Sequence, residues 1–150
     1  MPATTFRSDL VAALKTVLDA QVTATPTQLR AVYRARPGAF SELPCAYVGS
    51  RDERITYTAG QRTRTFAGLS VVLVDTFTDG TEVSDRMDDL VDLLVDRFTT
   101  NYAAVAGGGS ITQLSSVTDT ELELAGPSGP VVYRAAILGF DGTFVGEGRT

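Results

Sequence analysis

The chain reads as an α+β fold, a mainly antiparallel sheet with two helices on one face and a long protruding β-hairpin, in the order α-β-β-β-α-β-β. Three observations predict it. Two segments place apolar residues at helical spacing. Five others are apolar or alternate with period two and are bounded by Gly and Pro. Most neighbouring strand segments have no helix between them, so their short connections make antiparallel pairs. The length, 150 residues, suits one domain with its own core, and neither an internal repeat nor a domain boundary is evident.

Phe6, Leu10, Leu14, Val17 and Leu18 recur at helical spacing with Ala13 on the same side. Thr4 or Thr5 can cap this first helix, and Asp9 favours its N-terminal dipole. Thr25-Pro26 ends any continuation. The run from Leu29 to Arg36 alternates, with Leu29, Ala31, Tyr33 and Ala35 on one side and Arg30, Val32, Arg34 and Arg36 on the other. That predicts a half-buried strand with a basic outer face, stopped by Pro37-Gly38.

A long hairpin follows from about Leu43 to Phe77. Its inner ends, Cys45 to Val48 and Leu69 to Val74, are apolar. Its outer part, an arm of about residues 51–66 turning at Ala59-Gly60, is rich in Thr and Arg. A strand rises ~3.3 Å per residue, so the arm would reach roughly 25–30 Å beyond the body. A lone two-stranded ribbon is marginal in water, so the expectation is that a neighbouring subunit supplies its missing surface.

Asp79-Gly80-Thr81 closes the hairpin and opens a second helix, about Glu82 to Thr100. Val83, Met87, Leu90, Val91, Leu94 and Phe98 fall on one face, and Asp85, Asp88, Asp89, Asp92 and Asp96 on the opposite one. Gly107-Gly108-Gly109-Ser110 reads as a flexible connector. Two strands follow, Ile111 to Leu124 and Val131 to Phe140, joined by a turn at Gly126-Pro127-Ser128-Gly129-Pro130. Residues 142–150 read as a frayed tail.

The net charge of −5 disfavours a nucleic-acid coat and leaves open a channel wall past which DNA slides. The chain has no histidine, which removes His-based triads and His metal sites. Cys45, the lone cysteine, follows Pro44 at the start of an apolar strand and reads as a small buried hydrophobe. Lys15, the only lysine, reads as a snorkelling side chain beside the first helix's apolar stripe. The glycine run lacks a Gly-Lys-Ser/Thr ending and follows a helix, unlike a phosphate loop. The aspartates sit on a rigid helix that cannot converge six ligands, so a solvated or partner-facing stripe is the reading. No catalytic residue, metal or cofactor is expected. No apolar run approaches ~20 residues. With no basic-then-apolar start, a soluble cytosolic product is expected.

What the residues do suggest is contact between copies. Arg30, Arg34, Arg36, Arg51, Arg54, Arg62 and Arg64 read either as solubility and edge protection or as a basic flank that meets Asp85, Asp88 and Asp92 of a neighbour's second helix, head to tail, with Ile55, Tyr57 and Phe66 as the arm's apolar interface candidates.

The opening amphipathic helix and strand, Phe40 to Val48 leading into the arm, the segment Asp85 to Leu94 and the closing run Tyr133 to Leu138 together resemble the tail terminator proteins of long non-contractile-tailed phages. Related minor tail and neck proteins share the architecture. The resemblance covers most of the chain and rests on element order, without an invariant motif. It implies a non-enzymatic virion subunit forming a hexameric ring on the head-proximal end of the tail tube. There the ring would end polymerisation and offer a surface for head joining. The partners implied are other copies, the tail tube protein and the head–tail connector protein, with DNA only as passing cargo and no membrane. Assembly would take place in the host cytoplasm. The alternatives are a head–tail connector or head-completion protein and, in another class, a small ligand- or peptide-binding domain.

Overall fold

A computed structural model describes residues 6–20, 22, 29–49, 52–76, 81–105 and 110–147. The capping threonines Thr4 and Thr5, Thr25-Pro26, Arg51, Asp79-Gly80 and Gly107 to Gly109 lie outside the described residues. The fold is α+β, as the patterning predicts. Helix α1 (Phe6–Asp19) is followed by β1 (Ala31–Tyr33), β2 (Cys45–Val48), β3 (Glu53–Thr58) and β4 (Gln61–Thr76). Helix α2 (Thr81–Val105), β5 (Ser110–Gly126) and β6 (Gly129–Glu147) complete it. The sheet runs β1-β2-β4-β6-β5, with β3 added to the outer half of β4. Among the described residues only β1 and β2 pair in parallel.

Both helices pack on one face. Val11, Leu14 and Leu18 of α1 and Met87, Leu90, Leu94 and Phe98 of α2 are buried against Ala46, Val48, Leu69, Val71, Leu73, Ala136, Leu138 and Phe140. Phe98 meets Phe140 edge to face, with centroids 4.8 Å apart. Asp88, Asp89, Asp92 and Asp96 are exposed, as the helical wheel requires. The side chains of Phe6, Leu10, Ala13, Val83 and Asp85 are not among those described.

The opposite face is not left to solvent. Cys45, Tyr47, Val72, Val74 and Ala135 are buried there beneath Phe40, with Leu43, Leu122, Leu124 and Tyr133 packed alongside. Phe40 stacks at 6.2 Å from Tyr47 and meets Tyr133 edge-on at 5.0 Å. The unbroken apolar runs Cys45–Val48 and Val71–Val74 carry this signal in sequence, since a strand covered on both faces does not alternate.

Four differences from the sequence reading follow from pairing. The first strand is only Ala31–Tyr33, and it has no basic outer face. Val32 and Leu29 join the helix-side core while Ala31 and Tyr33 join the other, because β1 belongs to a sheet covered on both sides. The outgoing limb of the hairpin is two strands, which adds one β to the expected order. It breaks at Gly49, whose N–H donates to the Ser70 carbonyl at 2.8 Å. A Cβ there would come within 2.6 Å of Ser70 Oγ and 3.0 Å of Val72 Cγ2, so those side chains would have to shift to admit one.

The arm, thirdly, is not a lone ribbon. β6 continues past Phe140, and Gly142 to Glu147 pair with Phe66 to Gln61, making the arm three-stranded. Lastly, residues 142–147 are therefore strand and not a frayed tail, and only 148–150 of that segment lie outside the described residues. Thr143-Phe144-Val145 carries the β-branched and aromatic signal that the glycines on either side obscure. A register shift between Phe66 and Leu69 marks where the arm leaves the body. The hairpin turn falls at Ala59-Gly60 as expected, with φ of 51° and 77°, the two positive values of a type I′ turn.

Leu90→Ala or Leu94→Ala is expected to lose about 2–5 kcal/mol in urea melts, as large-to-small core changes do. Asp92→Asn is expected to stay within roughly 0.5 kcal/mol of the parent. The reverse ranking would overturn the assignment of the helix faces.

Candidate functional site: the arm and the sheet edges

The polar residues do not converge. Arg30 and Arg34 flank β1, both exposed, while Arg36 lies in the segment leading to Phe40. The Arg36 guanidinium donates to the Glu123 carbonyl at 3.5 Å, across the second face of the sheet. Arg54, Ile55 and Tyr57 are exposed on β3, and Arg62 is half-buried on β4 opposite Tyr57. Arg64 and Phe66 hold register positions opposite Ile55 and Glu53 in β4, and Asp85 lies in the first turns of α2; their side chains are not among those described. Asp88 and Asp92 are exposed on α2.

Register sorts the arm into two unlike faces, because directly paired residues share a side of the sheet. Glu53, Ile55 and Tyr57 align with Phe66, Arg64 and Arg62, and these with Gly142, Phe144 and Gly146. Arg54, Thr56 and Thr58 align with Thr65, Thr63 and Gln61, and these with Thr143, Val145 and Glu147. Of the described side chains, Glu53, Ile55, Tyr57 and Arg62 belong to the first set of rows and Arg54, Thr56, Gln61 and Thr63 to the second. Ile55 is 48% and Tyr57 54% exposed, so two large apolar side chains stand uncovered on the first face at β3. The Arg62 Nε is buried without a hydrogen-bond partner.

Elsewhere the chemistry is structural. Lys15 pairs with Asp19 at 2.9 Å, one helical turn on. Cys45 is fully buried, and burial, with the Asp75 charge adding to it, pushes its thiol up from 9.0 to about 12. The thiolate needed for nucleophilic attack is thus suppressed. Burial raises Tyr47 as well, Arg36 opposing the shift and Cys45 adding to it. A shallow, open cleft of about 650 Å³ is bordered by Val22, Leu29, Arg30, Ser41, Glu42 and Leu43. Its polar lining among the described residues is Arg30, Ser41 and Glu42. Among the described residues no group of three His, Cys, Asp or Glu could hold a metal, and no helix is long and apolar enough to cross a membrane.

One ion pair escaped sequence reasoning. Asp75, at the end of β4, is fully buried and accepts from Arg86 of α2 through both oxygens, at 2.7 Å from Nε and 2.6 Å from the terminal nitrogen. The backbone N–H of Thr76 adds a third bond at 2.8 Å. The pair ties the start of α2 to the sheet. Only the break of the apolar run at Asp75, with an arginine one helical segment later, could have hinted at it.

Compared with known protein families the chain matches none, and compared with individually curated proteins it again finds no match.

Arg86→Ala is expected to destabilise by about 3 kcal/mol in urea melts, the low end for breaking a buried pair, because Arg86 is 45% exposed. Asp75→Asn is expected to cost less, since no buried charge is left behind. For Cys45 the folded form favours the protonated thiol. Its contribution is fully present below pH 9 and is lost as pH rises toward about 12. Parent protein is expected to lose up to about 1.4 kcal/mol per pH unit across that window. Cys45→Ala, less stable at pH 7, is expected to show a flatter decline, with Tyr47 supplying what remains. Parallel slopes would mean that Cys45 titrates freely.

Proposed function

We propose that this chain is a ring-forming structural virion subunit of the tail-terminator type. It caps the head-proximal end of a phage tail tube as a ring of six, ends tube polymerisation and presents a surface for head joining. The observation that carries this reading is the three-stranded arm, whose apolar face is uncovered at Ile55 and Tyr57 and runs on from the helix-side face of the sheet. A subunit that assembles alone in solution would close rings before a tube is there to receive them, so weak self-association suits the role. Supporting it are an order of elements that, β3 apart, is the one on which the resemblance to tail terminators rests, and the spread of the described polar groups along strands and one helix. The tail tube protein and the connector are the proposed partners, and DNA passes through the lumen.

Purified protein added to growing tail tubes of its own phage is expected to stop them at a defined length. Electron micrographs should show one extra ring at one end only. A variant with residues 54–64 replaced by a short turn is expected to stay folded by circular dichroism and to lose this end density. Tubes that elongate unchanged with the parent protein would end the terminator reading. Unfolding of the deletion variant would place the arm in the core.

A further inference from the structure

The two edges of the sheet differ in charge and are level with one another. Row by row, Val32 aligns with Ala46, Leu73, Ala136 and Asp119, so one unbroken register line crosses five strands from β1 to β5. Exposed Arg30 and Arg34 bracket the β1 end of that line. At the β5 end stand Val117, Asp119, Glu121 and Glu123, all exposed, and β5 contains no Lys or Arg. Among the described residues no strand pairs with the outer side of either β1 or β5.

The backbone of β5 has groups to offer there. Its two-residue turn, between the paired Gly126 and Gly129, makes alternate residues address β6 and the odd ones from Asp119 to Glu123 face outward. The bond from Arg36 to the Glu123 carbonyl marks that outward direction and closes the tip of the edge. Asp119 and Glu121 are left as the open ladder. Five residues, Thr118 to Leu122, lie clear of both register shifts and of the tip.

We propose that neighbouring subunits join by antiparallel pairing of the β5 edge of one copy with the β1 edge of the next, continuing the sheet around the ring. The proposal rests on the ring-forming reading above and changes its acidic partner from α2 to β5. Polarity permits it: β1 and β2 run together, and each step from β2 through β4 and β6 to β5 reverses direction, so β5 is antiparallel to β1. Two copies related by a ring rotation therefore meet as antiparallel strands with their helices on the same side. Facing also agrees. Val32 packs toward the helices, and Asp119 shares a row with Ala136, which is in that same helix-side core. With Val32 opposite Asp119, Arg30 falls opposite Glu121, and Arg34 falls opposite Val117 and diagonal to Asp119. Opposite charges directly across a strand pair stabilise it, and like charges on abutting edges would oppose the alternative meeting of two β5 strands. Glu42 and Asp52, the other exposed acids on the β1–β3 side, lie off this row. The contact is heterologous, so it does not stop at a dimer, and it gives a ring where the rotation from copy to copy closes.

Cysteine trapping tests it, since Cys45 is buried and adds no background. The variant carrying Arg30→Cys and Glu121→Cys is oxidised with copper phenanthroline at millimolar protein and run on a non-reducing gel. The expected result is a ladder of covalent trimers and larger species ending at the ring, with no more than dimers from either single variant. The pair Arg30→Cys and Asp92→Cys, which probes the acidic helix instead, is expected to give no ladder. Light scattering of the parent protein at the same concentration separates two failures. Rings without a β1–β5 ladder overturn the edge pairing and leave the ring reading standing. Neither rings nor ladders at millimolar protein, a concentration that populates even weak contacts, overturn both. As a check on charge, Glu121→Arg is expected to weaken assembly and adding Arg30→Glu to restore it; absence of rescue counts against Arg30 facing Glu121.

Discussion

Leu69 to Asp75 of β4 have no face left for water. Leu69, Val71 and Leu73 are buried under the helices, and Val72 and Val74 under Phe40 and its neighbours. Every other element is placed relative to this strand. Its two sides pair with β2 and β6, its outer half carries β3, and its last buried residue, Asp75, holds Arg86 of α2. Burying a carboxylate at that point is sustainable because Arg86 and the Thr76 N–H engage both of its oxygens. The strand thus leaves the core at a position where the chain must turn toward the helix.

The same strand links the body to the arm. Past the register shift after Phe66, the helix-side face runs on into the face shared by Ile55, Tyr57 and Arg62. Inside the body that face is apolar and covered. On the arm it sets Ile55 and Tyr57 beside Arg62 and is partly uncovered, a composition suited to the subunit contact proposed above. The threonine face behind it gives β-propensity without adding apolar surface, which limits indiscriminate aggregation of the arm.

In the assembly proposed, geometry does the work, and the edges of the sheet matter as much as its surfaces. Natural sheets normally blunt their edges with charge. Here the charges differ in sign, with Arg30 and Arg34 at one end of the register line and Asp119 and Glu121 at the other. Such asymmetry opposes pairing of like edges and favours head-to-tail pairing, so one arrangement of charges can protect the free subunit and direct its assembly.

The helices were legible in the sequence because period 3.6 repeats over many residues: Leu14 and Leu18 in α1, and Met87 to Phe98 against the aspartates in α2. So were the Ala59-Gly60 and Pro127-Ser128 turns and the single α+β architecture, since turn chemistry and element order are local properties. What only tertiary structure decided is non-local. Val32 looked like part of a solvent face until β1 was placed in a sheet covered on both sides. The third strand of the arm depends on β6 running past Gly142 because β4 is there to receive it. Asp75 and Arg86 become a pair only when α2 folds back over the sheet. Period and turn residues are written along the chain, whereas a partner strand or a buried counter-ion is supplied by residues distant in sequence, and nothing in the local pattern says where they will arrive.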